Sequence, residues 1–364
     1  MASVIDYITQ GSRIFTTSLK TRFKYKEYEG GAIEICENIV KDCWNGHFFQ
    51  TSTTNFPQFW TRDFGWCTQS LLKLGYEKEV MQTIRYAMNR FIEFGSVTTT
   101  IRPGGKPFDF PYMAVDSLAW FIHTIKISKF GYYDYRHFLN KQIMDFFEKV
   151  VDKDTGLVIS DKRFSSIKDL SIRKSSCYDN CMVAMLAKDL SDMKLVNPFE
   201  KYNYPKLIKE TFWNGEFFFD DLQELNYVAG DANLFPIVLG IVKDKEIIEK
   251  AIKAIEENEL DKPIPLCYTK ERENANFTWE EKMLKNYEGN VVWTHMGPLY
   301  IKLLLHIDSK KKKAHEHIAK YKELIEHHKT FPEVVNKDGS LFKTPFYFCD
   351  TGMLWACNFI SLTK

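Results

Sequence analysis

The sequence has almost no net charge. Its 49 Lys and Arg stand against 48 Asp and Glu, a formal balance of +1, so nothing calls for a polyanion such as nucleic acid as partner. Long apolar runs are missing as well: none approaches the ~18 residues of a membrane span, and no membrane partner is expected. Met1 to Tyr7 shows no charged region followed by a long apolar stretch, so no leader is expected there. The eight cysteines lack any framework spacing. Cys36, Cys43, Cys67, Cys181 and Cys357 fall inside helical patterns, as buried reduced thiols do. Together these features predict a cytoplasmic protein. Cys177 and Cys181 have no matching Cys/His pair, so no metal and no cofactor are expected. There is no Walker loop, no Gly-x-Ser-x-Gly and no His-Glu-x-x-His, which excludes the chemistries those motifs carry.

Composition shows no internal break: 45% hydrophobic and 27% charged residues run the whole length. One domain over residues 32–364 is expected, after an N-terminal arm or helix over residues 1–31 that ends at Gly30-Gly31. The 32–364 stretch repeats one arrangement six times, a loop that opens an apolar helical run. Asp63, Asp116, Asp179, Asp231, Trp293 and Asp350 mark the six openings, at steps of 53, 63, 52, 62 and 57 residues. Each gap holds a second, more charged helical pattern, clearest at Lys78–Phe94, Tyr135–Val151, Asp244–Asn258 and Lys311–Lys329; Phe199–Phe212 is shorter and interrupted by Pro205, and Ala32–Cys43 precedes the first unit. A helix apolar all round must be covered on both sides, whereas an amphipathic one needs one covered face. Six of the first ringed by six of the second is an all-α (α/α)6 barrel, a six-hairpin toroid. The lead-in loops then gather at one end, and short β-hairpins are expected among them.

Two further patterns support the repeat. Trp44-Asn45-Gly46-His47-Phe48-Phe49 returns as Trp213-Asn214-Gly215-Glu216-Phe217-Phe218, 169 residues later. Three units separate Asp63 from Asp231, a step of 168, so the echo is in phase; Gly supplies a turn and the Phe pair a short strand. Phe331 to Phe342 reads as a hairpin turning at Asp338-Gly339. Residues 259–290 do not repeat and read as a lid or side wall over the fifth unit.

Aromatic residues make up 15% of the chain, and Trp60, Trp66, Tyr178 and Trp293 lie in or beside the lead-in loops, where ring faces suit the C–H faces of sugars. Asp is a favoured N-cap, so Asp63, Asp116, Asp179, Asp231 and Asp350 have a purely structural reading. Against it, Asp63 and Asp179 carry flanking aromatics, and Glu333 sits on a strand where its charge gains nothing structural. Glycoside hydrolysis needs two such carboxyl groups, one protonated and one ionised. Arg62 is placed to keep Asp63 ionised or to join it in holding sugar hydroxyls. His295 is the one His at the centre of a lead-in loop, and a hydrogen-bonded structural role is its simpler reading.

At these residues the chain resembles the six-hairpin (α/α)6 glycosidases, a group that includes neutral invertases, trehalases, glucoamylases and processing α-glucosidases. Trp60-Thr61-Arg62-Asp63-Phe64 is similar to their Trp-x-Arg-Asp motif, which binds the non-reducing sugar. Ala114-Val115-Asp116-Ser117-Leu118-Ala119-Trp120 resembles the Pro-Val-Asp-Ser-Gly-Leu-Trp string of neutral invertases. Ser175-Ser176-Cys177-Tyr178-Asp179-Asn180 resembles the Glu-Ser-Gly-Trp-Asp-Asn loop whose Asp is the general acid, although it lacks the Glu-Ser-Gly start. An invertase-like alignment places the acid near Asp169 instead. Phe331-Pro332-Glu333-Val334-Val335 is similar to the Trp-Pro-Glu-Tyr hairpin whose Glu is the general base.

The resemblance, over about residues 32–361, implies an exo-acting, inverting glycosidase for a small soluble α-glucoside or oligosaccharide. In it Asp179 is the acid (or Asp169) and Glu333 the base, and Trp60, Arg62, Asp63, Trp66, Asp116, Tyr178, Trp293 and His295 hold the sugar. Two other readings stay open: a sugar epimerase or isomerase, which calls for paired histidines, and a carbohydrate-binding protein without catalysis. Nothing in the sequence indicates the oligomeric state.

Overall fold

The computed structural model describes residues 4–364. Thirteen α-helices occur among them: α1 (Val4–Phe23), α2 (Ala32–Cys43), α3 (Thr61–Lys73), α4 (Glu77–Phe94), α5 (Val115–Ile127), α6 (Arg136–Val150), α7 (Cys177–Met193), α8 (Tyr204–Phe212), α9 (Gly230–Val238), α10 (Lys245–Glu257), α11 (Met296–Leu305), α12 (Lys311–His328) and α13 (Ala356–Thr363). The odd-numbered helices from α3 onward form the inner ring. α3 packs on α5, α5 on α7, α7 on α9, α9 on α11, α11 on α13, and α13 closes the circle on α3. Outside it, α2 packs on α13, α4 on α3, α6 on α5, α8 on α7, α10 on α9 and α12 on α11. The all-α (α/α)6 toroid is the observed fold. No helix among the described residues is long and apolar enough to cross a membrane.

Burial separates the two kinds of helix as their sequences predict. In α4 only Val80, Thr83, Ile84, Ala87, Met88 and Phe91 are buried, the 3.6-residue stripe of a one-sided helix. The large apolar side chains there contribute about 1.5–3 kcal/mol each. Gly95, at φ 90°, ends this helix in the left-handed region, which costs glycine nothing. In α7, by contrast, Cys177 to Ala187 are all buried. α9 stops after nine residues with Pro236 inside it. Proline has no N–H to give the carbonyl four residues back, and the Cys177 thiol faces that Ala232 carbonyl at 3.8 Å.

The short strands lie in the lead-in loops. β1 (Phe59–Trp60), β2 (Thr100–Ile101) and β3 (Pro107–Phe108) form an antiparallel sheet, with Trp60 opposite Thr100 and Ile101 opposite Pro107. β4 (Val292–Trp293) pairs antiparallel with β5 (Val334–Val335), Trp293 opposite Val334. The repeated Trp-Asn-Gly-x-Phe-Phe signature is one turn used twice. Asn45 Oδ1 accepts from His47 and Phe48 N–H at 2.9 Å each, and Asn214 Oδ1 from Glu216 and Phe217 N–H at 2.9 and 2.8 Å. Antiparallel bridges Trp44–Phe49 and Trp213–Phe218 close the two turns. The hairpin turn at Asp338-Gly339 is also present, with Gly339 at φ 82° and Val335 bridged to Leu341.

The last inner helix begins later than its pattern indicates. Residues from Asp350 read as helical, yet α13 starts at Ala356. Met353 and Leu354 instead donate their N–H groups to Phe331 and Thr51 carbonyls at 3.1 and 2.9 Å, which draws this segment into the lead-in loops. Helix α1 lies against the same end. Ser18 Oγ donates to Phe348 O at 3.1 Å, Thr21 Oγ1 to Asn55 Oδ1 at 2.9 Å, and Asp6 pairs with Arg102 at 2.8 Å.

Candidate active site

None of the repeated aspartates is an N-cap. Asp63 and Asp179 are third residues of their helices, and Asp116 and Asp231 are second. The cap positions fall to Trp60, Ala114, Ser176 and Ala229, of which only Ser176 caps with its side chain. Asp350 precedes its helix by six residues. All five carboxylates are buried, and Asp350 accepts from Asn55 and Phe56 N–H at 2.8 and 3.1 Å.

Arg62 links the first two units. Its Nη1 pairs with Asp116 Oδ2 at 3.1 Å and donates to the Ser166 carbonyl, and its guanidinium lies 5.5 Å from the Trp66 ring centre. Tyr178 OH donates to the same Asp116 oxygen at 3.0 Å and accepts from Trp120 Nε1 at 3.3 Å. Tyr178 is fully buried behind Asp116, so its ring packs in the core and its hydroxyl does the positioning. Asp63 accepts from Trp355 Nε1 at 3.0 Å. Burial lifts the Asp63 carboxyl to about 6 in spite of Arg62, and lifts Asp116 above its ordinary range in the same way.

Asp179 Oδ2 accepts from Ser176 Oγ at 2.7 Å, while its Oδ1 has no partner. Burial raises this carboxyl to about 6, with Arg173 opposing. Asp169, the alternative acid, is only partly buried. Its Oδ1 accepts from Ser165 Oγ and from Ser166 N–H at 3.1 Å, so that oxygen holds its own loop.

Glu333 stands beside β5, where strand pairing with β4 brings it next to Thr294. It accepts from Tyr287 OH at 2.5 Å, Tyr347 OH at 2.7 Å and Asp350 N–H at 2.9 Å. Burial and the neighbouring Asp350 raise it to about 7. Three donors thus converge on this carboxyl.

His295 sits among aromatic rings. It stacks flat on Trp66 (4.2 Å, 4°) and meets Trp355 at 5.0 Å and Trp293 at 5.4 Å. Only 1% of it is exposed, and neither ring nitrogen has a partner. Burial and Arg62 keep it neutral by pulling its pKa well down. The hydrogen-bonded structural role read from the sequence is absent here. Trp60 is the most open of the aromatics, in edge contact with Phe56 and Phe110; Trp293 Nε1 donates to Tyr287 O at 2.7 Å.

Several residues at this end escape any sequence pattern. Lys168 pairs with Asp220 and Asp231 at 2.9 and 3.1 Å, and Arg173 with the same two at 3.7 and 3.3 Å. Burial alone would raise Asp220, but Lys168 and Arg173 outweigh it and hold it below its ordinary value. Glu288, from the non-repeating stretch, accepts from Asp169 N–H at 2.6 Å, Leu170 N–H at 2.9 Å and Ser171 Oγ at 3.0 Å. Thr278 N–H donates to Leu170 O and Ile172 N–H to Asn276 O, each at 2.8 Å. The 259–290 stretch is thus fastened to the 165–173 loop, and the two cover the carboxylates. The cavity left beside Asp179 is about 20 Å³, room for about one water.

No protein-family model and no curated protein matches the chain. Solved structures do match in fold. A rhamnosidase from Klebsiella oxytoca with rhamnose bound superposes with a TM-score of 0.63 at 11% identity, over 93% of this chain and 65% of its own. A glycosidase variant in complex with glucose gives 0.64 at 11%, over 97% and 96%. A mannosylglycerate hydrolase from Thermus thermophilus, in complex with Tris and D-glycerate, gives 0.61 at 10%, over 92% and 100%. This chain therefore spans about two thirds of the rhamnosidase and nearly all of the other two. Its fold is that of the six-hairpin (α/α)6-barrel glycoside hydrolases.

Proposed function

We propose that the protein is a glycoside hydrolase that removes a terminal sugar from a small soluble α-glucoside with inversion. The observation that carries this reading is a set of buried polar atoms without partners at the mouth of the ring: Arg62 Nε, Asp116 Oδ1, Asp179 Oδ1, both nitrogens of His295, and the indole nitrogens of Trp60 and Trp66. Each such atom left unpaired costs about 1–3 kcal/mol. A ligand that brings donors and acceptors around a ring offsets that cost, and the indole walls suit its C–H faces. A sugar has this chemistry.

In this reading the loops at 165–173 and 259–290 part to admit the substrate. Arg62, Asp63, Asp116 and His295 bind the terminal sugar's hydroxyls, with Trp60, Trp66 and Trp293 walling it; Tyr178 positions Asp116. Asp179 Oδ1 gives its proton to the glycosidic oxygen as the bond to the anomeric carbon breaks and its electron pair stays on that oxygen. Glu333 takes a proton from a water whose oxygen bonds to the anomeric carbon from the other face. Burial raises both carboxyls, Asp179 to about 6 and Glu333 to about 7. The roles are assigned from the hydrogen bonds: Glu333 is surrounded by donors, whereas a proton on Asp179 Oδ1 has no other acceptor.

The test is hydrolysis of a panel of α-glucosides, sucrose and trehalose included, by wild type, Asp179→Asn, Asp169→Asn and Glu333→Gln, with the product anomer followed by NMR. Loss in Asp179→Asn and Glu333→Gln with an inverted anomer is the expected result. A wild-type rate in Asp179→Asn with loss in Asp169→Asn transfers the acid role. No turnover of any glycoside, with sugars still bound, leaves a carbohydrate-binding protein.

A further inference from the structure

The inner helices direct their N-termini to the loop end, so their C-terminal halves surround the other. Two of them, α9 and α11, have nine and ten residues against seventeen in α7. Where they fall short, the ring holds a cavity of about 660 Å³, within the ~300–1,000 Å³ usual for small-molecule sites. Apolar side chains, among them Met185, Phe235, Ile237, Leu299 and Leu303, make up the larger part of its lining. Trp66 and Trp120 form its inner end.

The charged groups of its lining are Lys126, Lys188, Lys302, Asp189 and Glu200, an excess of cations. Asp189 is already satisfied, by His123 at 2.7 Å and Lys126 at 2.8 Å. Lys302 is not: its Nζ donates to Gln69 Oε1 at 3.0 Å, and its charged neighbour is another cation, Lys73. Among the described residues no carboxylate pairs with it. Glu200, the rim's other acid, belongs to the segment between α7 and α8 and makes no ion pair with Lys302.

We propose that this cavity is a second ligand site that takes an amphipathic organic anion, its apolar body against Met185, Phe235, Leu299 and Leu303 and its charged head on Lys302. An apolar chamber alone would accept a neutral or cationic amphiphile equally. The unpaired ammonium at the rim, with no acid of its own, selects a carboxylate or phosphate head. Trp120 at the inner end gives a fluorescence readout that needs no turnover, and Trp66 is shared with the sugar wall. Inactivity toward glycosides leaves this inference standing, and the reverse holds too.

The experiment titrates the protein with decanoate, 1-decanol and decyltrimethylammonium, followed by tryptophan fluorescence and calorimetry. The expected result is saturable one-to-one binding of decanoate with a fluorescence change, and much weaker binding of the other two. Lys302→Gln, an exposed substitution, weakens decanoate about fivefold and leaves decanol unchanged. Leu303→Trp, with folding verified by circular dichroism, intrudes on the apolar wall and weakens decanoate and decanol alike. Decanol or the ammonium binding as tightly as decanoate overturns the proposal, as does decanoate binding that neither substitution alters.

Discussion

Replacing Glu333 by Gln should abolish activity and stabilise the protein, and the stabilisation should depend on pH. The fold raises this carboxyl from 4.5 to about 7. At about 1.4 kcal/mol per pKa unit, ionised Glu333 costs the folded state about 3 kcal/mol. Glutamine has the shape of the protonated acid. Its carbonyl can accept from Tyr347 OH and Asp350 N–H, while its amide donates to Tyr287, whose hydroxyl turns to accept. A carboxyl whose pKa is raised by folding suits the fold best when protonated. Its contribution is intact below 4.5 and is lost as the pH climbs through about 7. Wild type and variant should therefore melt together near about pH 4 and diverge above about pH 7. With about 2.1 cal/mol/K of unfolding entropy per residue over 364 residues, 3 kcal/mol raises Tm by about 4 °C. Thermal melts at the two pH values, with kcat measured in parallel, test both halves. The kcat should fall by about 10²–10⁴-fold. An equal Tm difference at both pH values, or a variant less stable at the higher one, refutes the buried-charge argument whatever the activity shows.

The pH profile of kcat/KM should be bell-shaped, with limbs near about 6 and about 7 set by Asp179 and Glu333; a flat profile across that window sinks the assignment. Lys168→Met strips Asp220 and Asp231 of one of their two cations and should cost about 3–5 kcal/mol in urea unfolding. Lys206→Met, in an exposed 3.7 Å pair with Glu210, should cost under about 1 kcal/mol. Asn45→Ala and Asn214→Ala each remove the acceptor of a repeated turn, at about 1 kcal/mol apiece. The turns are remote from each other, so the double variant should lose the sum.

The ring itself was legible because its inner helices are apolar on every side, a property of local sequence that only one kind of packing satisfies. The echo of Trp44 to Phe49 at Trp213 to Phe218 was legible for a similar reason, since one residue type does one job in each: Asn accepts, Gly turns. Glu333 stood out because its strand has no use for a charge. The aspartates were harder to read. Their spacing marked the helix starts, but a cap and a first-turn carboxylate differ by two or three positions, and only the fold shows these turned inward. Lys168, Arg173, Asp220 and Glu288 had no signal at all. They sit in loops without period and meet one another or other partners as far as 119 residues away. The far-end cavity is lined by residues that, helix by helix, read as ordinary core. Whether they close on one another is a matter of helix length around the ring, which no single helix reveals.

A circle of helices is finished only by its last member. Helix α13 is the piece that touches α2, α3 and α11, and Trp355, just before it, holds Asp63 from 292 residues away. At about 5–20 residues per second, a ribosome needs roughly 15–60 s to make the chain between them. For that interval the protein is an open arc, its two apolar edges bare, with Asp63 lacking the indole that will hold it. Its danger of sticking to neighbours is therefore greatest just before synthesis reaches residue 355. A chaperone that shields the flank of α3 until then would do more for its yield than any single stabilising contact in the finished ring.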